Sequence, residues 1–284
     1  MNDYQPAPIA GVMGWPVGHS LSPALHGFWL RENKVVGSYV PLAVRPKNLK
    51  SAILALPKLG FSGVNLTVPH KEAAALFVDR VEGVAKKLGA INTVVVNKEG
   101  LIIGSNTDGY GFIESLKRSL NLNTLKKQSA VILGAGGAAR AIAAALQGTG
   151  VSEINIVNRT RENSERLCEE IGDKLIAVDW KERNEVLESK NLLVNTTILG
   201  MVGQPALDIN LSALPLSAIV SDIVYAPLIT PLLKLATDRG NTIVDGLVML
   251  LQQGRPGFRA WFGVDPKVSR ALEAHLLEKI GGLE

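Results

Sequence analysis

Val131-Ile132-Leu133 runs directly into Gly134-Ala135-Gly136-Gly137-Ala138-Ala139-Arg140: an apolar strand, a glycine turn and the start of an Ala-rich helix. That order suits a phosphorylated ligand. Gly134 permits a tight turn, and Gly136 leaves no Cβ where a pyrophosphate would approach. The helix beginning near Gly137 and Ala138 offers free N–H groups and a positive dipole end. The spacing Gly134-x-Gly136-x-x-Ala139 is a dinucleotide fingerprint with Ala at the third position. A strand–helix turn that uses glycine for backbone reasons alone reads the same way, so the next strand matters. It spans Glu153 to Val157 and ends in Asn158-Arg159-Thr160. A site selective for NAD places Asp or Glu there to hold the ribose 2′-hydroxyl, whereas Asn followed by Arg suits a 2′-phosphate. The charge pattern favours NADP, with Arg161 as a second candidate for the phosphate.

A second group of candidates lies in the first hundred or so residues. His19-Ser20-Leu21-Ser22-Pro23 puts two hydroxyls at a helix entrance, where they could donate to a carboxylate. Plain capping explains Ser22 well and Ser20 poorly. Asn65-Leu66-Thr67-Val68-Pro69-His70-Lys71-Glu72 places a lysine just after a strand at a helix start, which the helix dipole disfavours. Asn106-Thr107-Asp108-Gly109 supplies a carboxylate that either does chemistry or caps the next helix. Spacing alone does not bring Lys71 and Asp108 together.

These residues must be held by alternating strands and helices. Ile9–Trp15, Ser38–Val44 and Gly63–Thr67 read as strands, with helices from Ser22-Pro23, over Lys47–Leu59 and over Lys71–Val78. Asn92–Asn97 and Leu101–Gly104 flank Lys98-Glu99-Gly100 as a hairpin. A second unit begins near Gly109, with a helix over Phe112–Leu120 and then strands at Ala130–Leu133, Glu153–Val157, Asn191–Val194, Ala218–Ile223 and Thr242–Val244. Helices follow at Ala138–Gln147, from Leu247, and over Lys267–Ile280, and Pro256 is expected to kink or break the Leu247 helix. The alternation predicts an α/β fold built on largely parallel sheets covered on both faces.

Composition excludes several classes. Thirty Lys+Arg against 26 Asp+Glu give a net charge of +4, too small and dispersed for a nucleic-acid footprint. A 46% hydrophobic content over 284 residues excludes a disordered chain and supports about two domains. Met1–Tyr4 carries neither a basic region nor an apolar run, so no secretory leader is expected, and no apolar run is long enough to span a membrane. The single Cys168 points to a reducing, cytoplasmic setting. His19, His26, His70 and His275 lack metal-ligand spacing, so no metal is expected.

Taken in order, the motifs become recognisable. Gly14-Trp15-Pro16-Val17-Gly18-His19-Ser20-Leu21-Ser22-Pro23, Asn65–Glu72, Gly89-Ala90-Ile91-Asn92-Thr93 and Asn106–Gly109 come first. The glycine turn with Asn158-Arg159-Thr160 follows, then Asn195-Thr196-Thr197-Ile198-Leu199-Gly200-Met201, Asp222-Ile223-Val224-Tyr225-Ala226-Pro227 and Asp245-Gly246-Leu247. On these residues the chain resembles the shikimate dehydrogenase family along essentially its whole length. The resemblance implies an α/β substrate domain over 1–109 and 246–284, with the C-terminal helices returning to it. A Rossmann-type NADP-binding domain would fill 110–245.

It also implies NADPH-dependent, reversible reduction of 3-dehydroshikimate to shikimate in aromatic amino-acid biosynthesis, by a monomer or homodimer with no nucleic-acid or membrane partner. Lys71 and Asp108 match the catalytic pair. Ser20 and Ser22, with Tyr225, would hold the substrate carboxylate, and Thr67, Asn92 and Gln253 its ring hydroxyls. Gly134, Ala135, Gly136, Gly137, Ala138, Asn158, Arg159, Thr160, Thr196, Gly246 and Met249 would bind NADP(H). Two positions depart from the family pattern: Val248 stands where Gly usually precedes the Met, and His26-Gly27 stands for His-Asn. The nearest rival is a quinate/shikimate dehydrogenase of the same fold. A non-catalytic NADP-binding regulator is the rival of another class, and the intact Lys71 and Asp108 argue against it.

Overall fold

The computed structural model describes residues 7–282, so the expectation about Met1–Tyr4 lies outside the described residues. The chain forms two compact units. One comprises the chain up to Thr107 with Gln253–Leu276, the other Asp108–Gln252 with the chain from Leu277. The divisions fall after Thr107 and Gln252, where the sequence places them after 109 and 245.

The first unit begins with β1 (Ile9–Gly14), α1 (Ser22–Glu32), β2 (Ser38–Ala43), α2 (Leu49–Ala55) and β3 (Phe61–Leu66). It continues with β4 (Arg80–Val81), α3 (Ala85–Leu88), β5 (Thr93–Val96) and β6 (Ile102–Ser105). The sheet order is β2-β1-β3-β5-β6-β4. β1 runs parallel to β2 and β3, but β5 is antiparallel to both β3 and β6. The expected parallel sheet is therefore mixed here, because the Lys98-Glu99-Gly100 hairpin reverses the chain. Met13, Leu49, Ile53, Val64, Leu66, Ile91 and Val94 form one buried apolar cluster under this sheet.

Two local expectations fail in this unit. The helix expected over Lys71–Val78 is only a short 3-10 turn, Ala73–Leu76. Asp79 draws the chain back to the sheet: its N–H donates to the Ile102 carbonyl (2.9 Å), and its carboxylate accepts from the Ile102 N–H (2.7 Å). Ser22 is not a cap either. α1 has Leu21 at its N-cap position, Ser22 is its first residue, and the Ser22 N–H donates to Ser20 Oγ at 3.3 Å. Local hydrogen bonding thus accounts for Ser20 rather than Ser22.

The second unit runs α4 (Asp108–Ser119), β7 (Ser129–Leu133), α5 (Gly137–Thr149), β8 (Glu153–Asn158), α6 (Arg161–Ile171) and β9 (Leu175–Asp179). β10 (Leu192–Asn195), β11 (Ile219–Asp222), α7 (Pro231–Arg239) and β12 (Thr242–Val244) follow. Its sheet order is β12-β11-β10-β7-β8-β9, and every pairing is parallel. Val131, Ile132 and Leu133 are all fully buried, so both faces of β7 are covered, as the apolar run demands. β9 and α7 are additions to the elements expected from the sequence. For α7 the signal was present: Thr230 accepts from the Leu233 N–H, with Pro231 at the first helical position.

α8 (Gly246–Phe262) contains Pro256 yet continues through it, and α9 (Arg270–Gly281) starts three residues later than expected. Aromatic burial offsets the backbone donor lost at Pro256. Phe258, Trp261 and Phe262 are buried with Trp29, Tyr39 and His26 in one aromatic cluster. Trp261 Nε1 donates to the Val94 carbonyl (2.9 Å), and Trp29 Nε1 to that of Lys267 (2.9 Å). The C-terminal half of α8 is thereby tied to the first sheet.

His26 lies inside that cluster, stacked on Tyr39 at 3.9 Å between ring centroids, and its Nδ1 has no hydrogen-bond partner among the described residues. Burial lowers its pKa to about 3. An unfolded chain binds this proton below about pH 6.5 while the fold does not, so stability falls as pH drops from about 6.5 towards 3, by about 1.4 kcal/mol per pH unit. Denaturant unfolding between pH 7 and 4 should show this slope, and His26→Leu should reduce it by one proton.

Candidate active site

In the second unit, the strand order reverses between β7 and β10, which opens a crevice at their carboxyl ends. A cavity of about 170 Å³ lies there, lined by Gly134, Ala135, Gly136, Asn158, Arg159, Trp180 and residues 196–199. Each wall comes from the end of a different strand: β7, β8, β9 and β10 in turn. Gly134 has φ +107°, and a Cβ there would meet Thr196 Oγ1 at 2.6 Å, so backbone and packing both require glycine. Gly136 differs. Its φ is −86°, it is the N-cap of α5, and a Cβ there would meet nothing within 4 Å. Protein packing therefore does not explain Gly136, whereas a ligand approaching the α5 N-terminus does.

The floor of the cavity is tied to buried polar groups. Thr196 Oγ1 donates to the Leu133 carbonyl (2.6 Å). Asn195, fully buried, accepts from the Thr197 N–H and hydroxyl (3.0 and 2.8 Å) and donates to the Leu199 carbonyl (3.1 Å). Asn195 Nδ2 also donates to Asp222 (3.0 Å), which accepts in addition from the Thr230 hydroxyl (2.7 Å) and the Val224 N–H (3.0 Å). Burial pushes the Asp222 carboxyl up to about 6, while these three donors oppose the shift. One buried pair across β10 and β11 thus shapes the loop 196–199.

Among the residues expected to bind cofactor, Gly134, Ala135, Gly136, Asn158, Arg159 and Thr196 line this cavity together. Gly137 and Ala138 form the first turn of α5 behind it, and the Thr160 carbonyl accepts from Asn158 Nδ2 (2.8 Å). Gly246 opens α8, with its Cα packed against the Ile223 carbonyl, and Met249 is buried one turn later; neither lines the cavity. Arg161 is diverted from the phosphate role, since its guanidinium pairs with Glu165 and Asp179. Those carboxylates hold its pKa above the usual arginine value, Glu165 first. Trp180, Thr197, Ile198 and Leu199 are lining residues not singled out from the sequence. Trp180 follows β9, and without that strand its position was not readable.

In the first unit, Asn92 is buried at 1% exposure between β3 and β6. Its amide donates to Thr107 Oγ1 (3.0 Å) and Gln253 Oε1 (2.9 Å), and its carbonyl accepts from the Thr107 N–H (2.9 Å) and the Thr93 hydroxyl (2.9 Å). Thr107 Oγ1 donates to the Gln253 backbone carbonyl (2.8 Å). Asn92 and Gln253 are therefore joined both directly and through Thr107. The Ile91 N–H donates to the Lys71 carbonyl (2.8 Å), which fixes the half-buried lysine's backbone beside the same strand, and the Thr67 N–H donates to the Met13 carbonyl (2.9 Å). Ser22 is buried and Ser20 half-buried at the start of α1. Asp108 and Tyr225 belong to the second unit: Asp108 is the first residue of α4, and half-buried Tyr225 follows β11. Among the described residues, no group of three or more His, Cys, Asp or Glu side chains could hold a metal ion, and no helix is long and apolar enough to cross a membrane.

An α/β unit carrying a buried polar knot, together with a parallel-sheet unit whose glycine cradle faces Asn-Arg, defines a dinucleotide-dependent dehydrogenase. Two family models match: the shikimate dehydrogenase substrate-binding domain over residues 12–94 and shikimate/quinate 5-dehydrogenase over 115–200. A shikimate dehydrogenase (NADP(+)) of Paramagnetospirillum magneticum is 54% identical over 271 residues, covering 95% of this chain and 98% of that relative. The structure of the Thermus thermophilus shikimate 5-dehydrogenase in complex with NADP(H) and shikimate is similar at TM-score 0.83 and 36% identity, over 98% of this chain and 100% of that one. The Corynebacterium glutamicum quinate dehydrogenase in complex with NAD is similar at TM-score 0.86 and 31% identity, over 95% and 99%. The chain belongs to the shikimate dehydrogenase family.

The two glycines should separate on substitution. Gly134→Ala should cost about 2–4 kcal/mol of stability through its positive φ and the Thr196 clash. Gly136→Ala should stay within about 1 kcal/mol of the parent yet weaken nucleotide binding at least about tenfold. Thermal melting and NADP titration of both variants check this.

Proposed function

We propose that the enzyme catalyses the NADPH-dependent, reversible reduction of 3-dehydroshikimate to shikimate, the step that serves aromatic amino-acid biosynthesis. The observation that carries this reading is the cavity in which the glycine cradle of Gly134 and Gly136 meets Asn158-Arg159 at the end of β8. An anion-accepting helix N-terminus with an arginine in place of an acidic residue fits a dinucleotide that carries a 2′-phosphate. The family membership and the NADP(+)-dependent relative support the same reading.

Bound NADPH supplies the hydride. Negative charge then builds on the ketone oxygen of the substrate, where a protonated Lys71 stabilises it and donates the proton. Asp108 orients the Lys71 ammonium. Ser20 and Ser22, with Tyr225, hold the substrate carboxylate, while Thr67, Asn92 and Gln253 hold its ring hydroxyls. The Asn92–Thr107–Gln253 knot supports the last two roles, because a side chain already fixed by its neighbours loses little freedom on binding. Residues 1–109 with 246–284 serve the substrate, and 110–245 the cofactor, with Gly137, Ala138, Thr160 and Thr196 binding it from that segment and Gly246 and Met249 from the start of the last. The enzyme acts as a monomer or homodimer in the cytoplasm, in keeping with its single cysteine.

Steady-state rates with shikimate and quinate, each against NADP and NAD, test the assignment. Shikimate with NADP should dominate, and dominance of quinate with NAD would overturn it. Lys71→Ala should lower kcat by about 10²- to 10⁴-fold with a smaller change in KM. Arg159→Ala should raise KM for NADP far more than for NAD; equal losses with both would count against phosphate recognition.

A further inference from the structure

The cavity at the ends of β7, β8, β9 and β10 has one aromatic wall, Trp180, which none of the roles above uses. Trp180 follows Asp179, the last residue of β9, and opens the 3-10 turn Trp180–Glu182. Its backbone is held by reciprocal capping: Asp179 accepts from the Glu182 N–H, and the Glu182 carboxylate accepts from the Asp179 N–H.

The ring is held as well. The Arg183 guanidinium carbon lies 5.3 Å from the indole centroid, within cation–π range. That guanidinium donates through Nε to the Asp208 carbonyl (2.7 Å), through Nη2 to the Asp208 carboxylate (2.6 Å) and through Nη1 to the Trp180 carbonyl (3.2 Å). The half-buried indole also packs against the apolar cluster that contains Leu207 and Ile209. A rigid aromatic surface therefore stands in the same cavity as Arg159. The other lining residues are Gly, Ala, Asn, Thr, Ile and Leu, so among them Trp180 alone offers a π-face.

Building on the reading of this cavity as the NADP site, we propose that Trp180 is a cofactor-binding residue that stacks the adenine ring, with Arg159 taking the adjacent 2′-phosphate. An indole has two faces. A cation held on one fixes the ring plane and leaves the other for a base, which stacks without needing any particular donor set. The arrangement places recognition of the base and of the 2′-phosphate on consecutive strand ends, β9 and β8.

The test uses 2′,5′-ADP, which carries the adenine and the 2′-phosphate but no nicotinamide, titrated into the intact enzyme by calorimetry and tryptophan fluorescence. The unmodified enzyme should show quenching on binding. Trp180→Ala should weaken binding about five- to 150-fold, and Trp180→Phe should restore it to within about threefold of the parent. Both variants should lose the quench, because the other three tryptophans, exposed Trp15 and buried Trp29 and Trp261, belong to the other unit. A purely structural Trp180 would shift melting temperature without these ligand-specific changes. Unchanged affinity in Trp180→Ala, or a full-amplitude quench in Trp180→Phe, would overturn the proposal. If 2′,5′-ADP binds and Arg159→Ala weakens it while both Trp180 variants bind normally, only this inference falls. Absence of any binding to the unmodified enzyme removes the nucleotide-site reading and this inference with it.

Discussion

The reversal of strand order between β7 and β10 is the constraint on which the cavity of the second unit depends. In a parallel sheet, chains that leave neighbouring strands in opposite directions cannot fill the space above the switch point. Every lining group of the cavity is delivered there by a strand end. Beside the switch point, β10 and β11 are tied at their ends by the buried contact between their paired residues Asn195 and Asp222. Each spends its remaining hydrogen-bonding capacity on the loops that follow, so loop shape follows from sheet register. A buried carboxylate with three donors is costly to leave half-satisfied, which ties that loop geometry to the core.

The first unit solves a different problem. Its polar knot of Asn92, Thr107 and Gln253 joins residues far apart in the chain, with Gln253 supplied by α8. The aromatic cluster of Trp29, Tyr39, Phe258 and Trp261 packs the same helix. Tyr39 extends the connection: its hydroxyl donates to Asn65 (2.7 Å), whose amide donates to the Asn92 carbonyl (3.1 Å). Apolar packing and polar positioning are continuous here rather than separate layers.

Family resemblance came from short contiguous runs, and those runs are the parts of the site whose chemistry is local. The glycine turn with its helix is one, because a positive φ and a bare Cα are properties of single positions. Asn158-Arg159 is another, because it follows its strand directly. Trp180 is hidden in the sequence because β9 is a half-exposed edge strand with no clear apolar alternation, and the partners of Arg161, Glu165 and Asp179, are not evident from spacing alone. The expected break at Pro256 failed for the same reason: propensity is worth a few kcal/mol, and aromatic burial exceeds it.

By itself the sequence determined the α/β class, the glycine turn between β7 and α5, the Asn158-Arg159 end of β8 and the order of the motifs, all of which depend on residues adjacent in the chain. The tertiary structure alone decided which arginine faces the cavity, that Asn92 reaches Gln253 both directly and through Thr107, that the first sheet is mixed and that an indole walls the cavity. Those outcomes are settled by contacts between distant segments, whose energies no local pattern encodes.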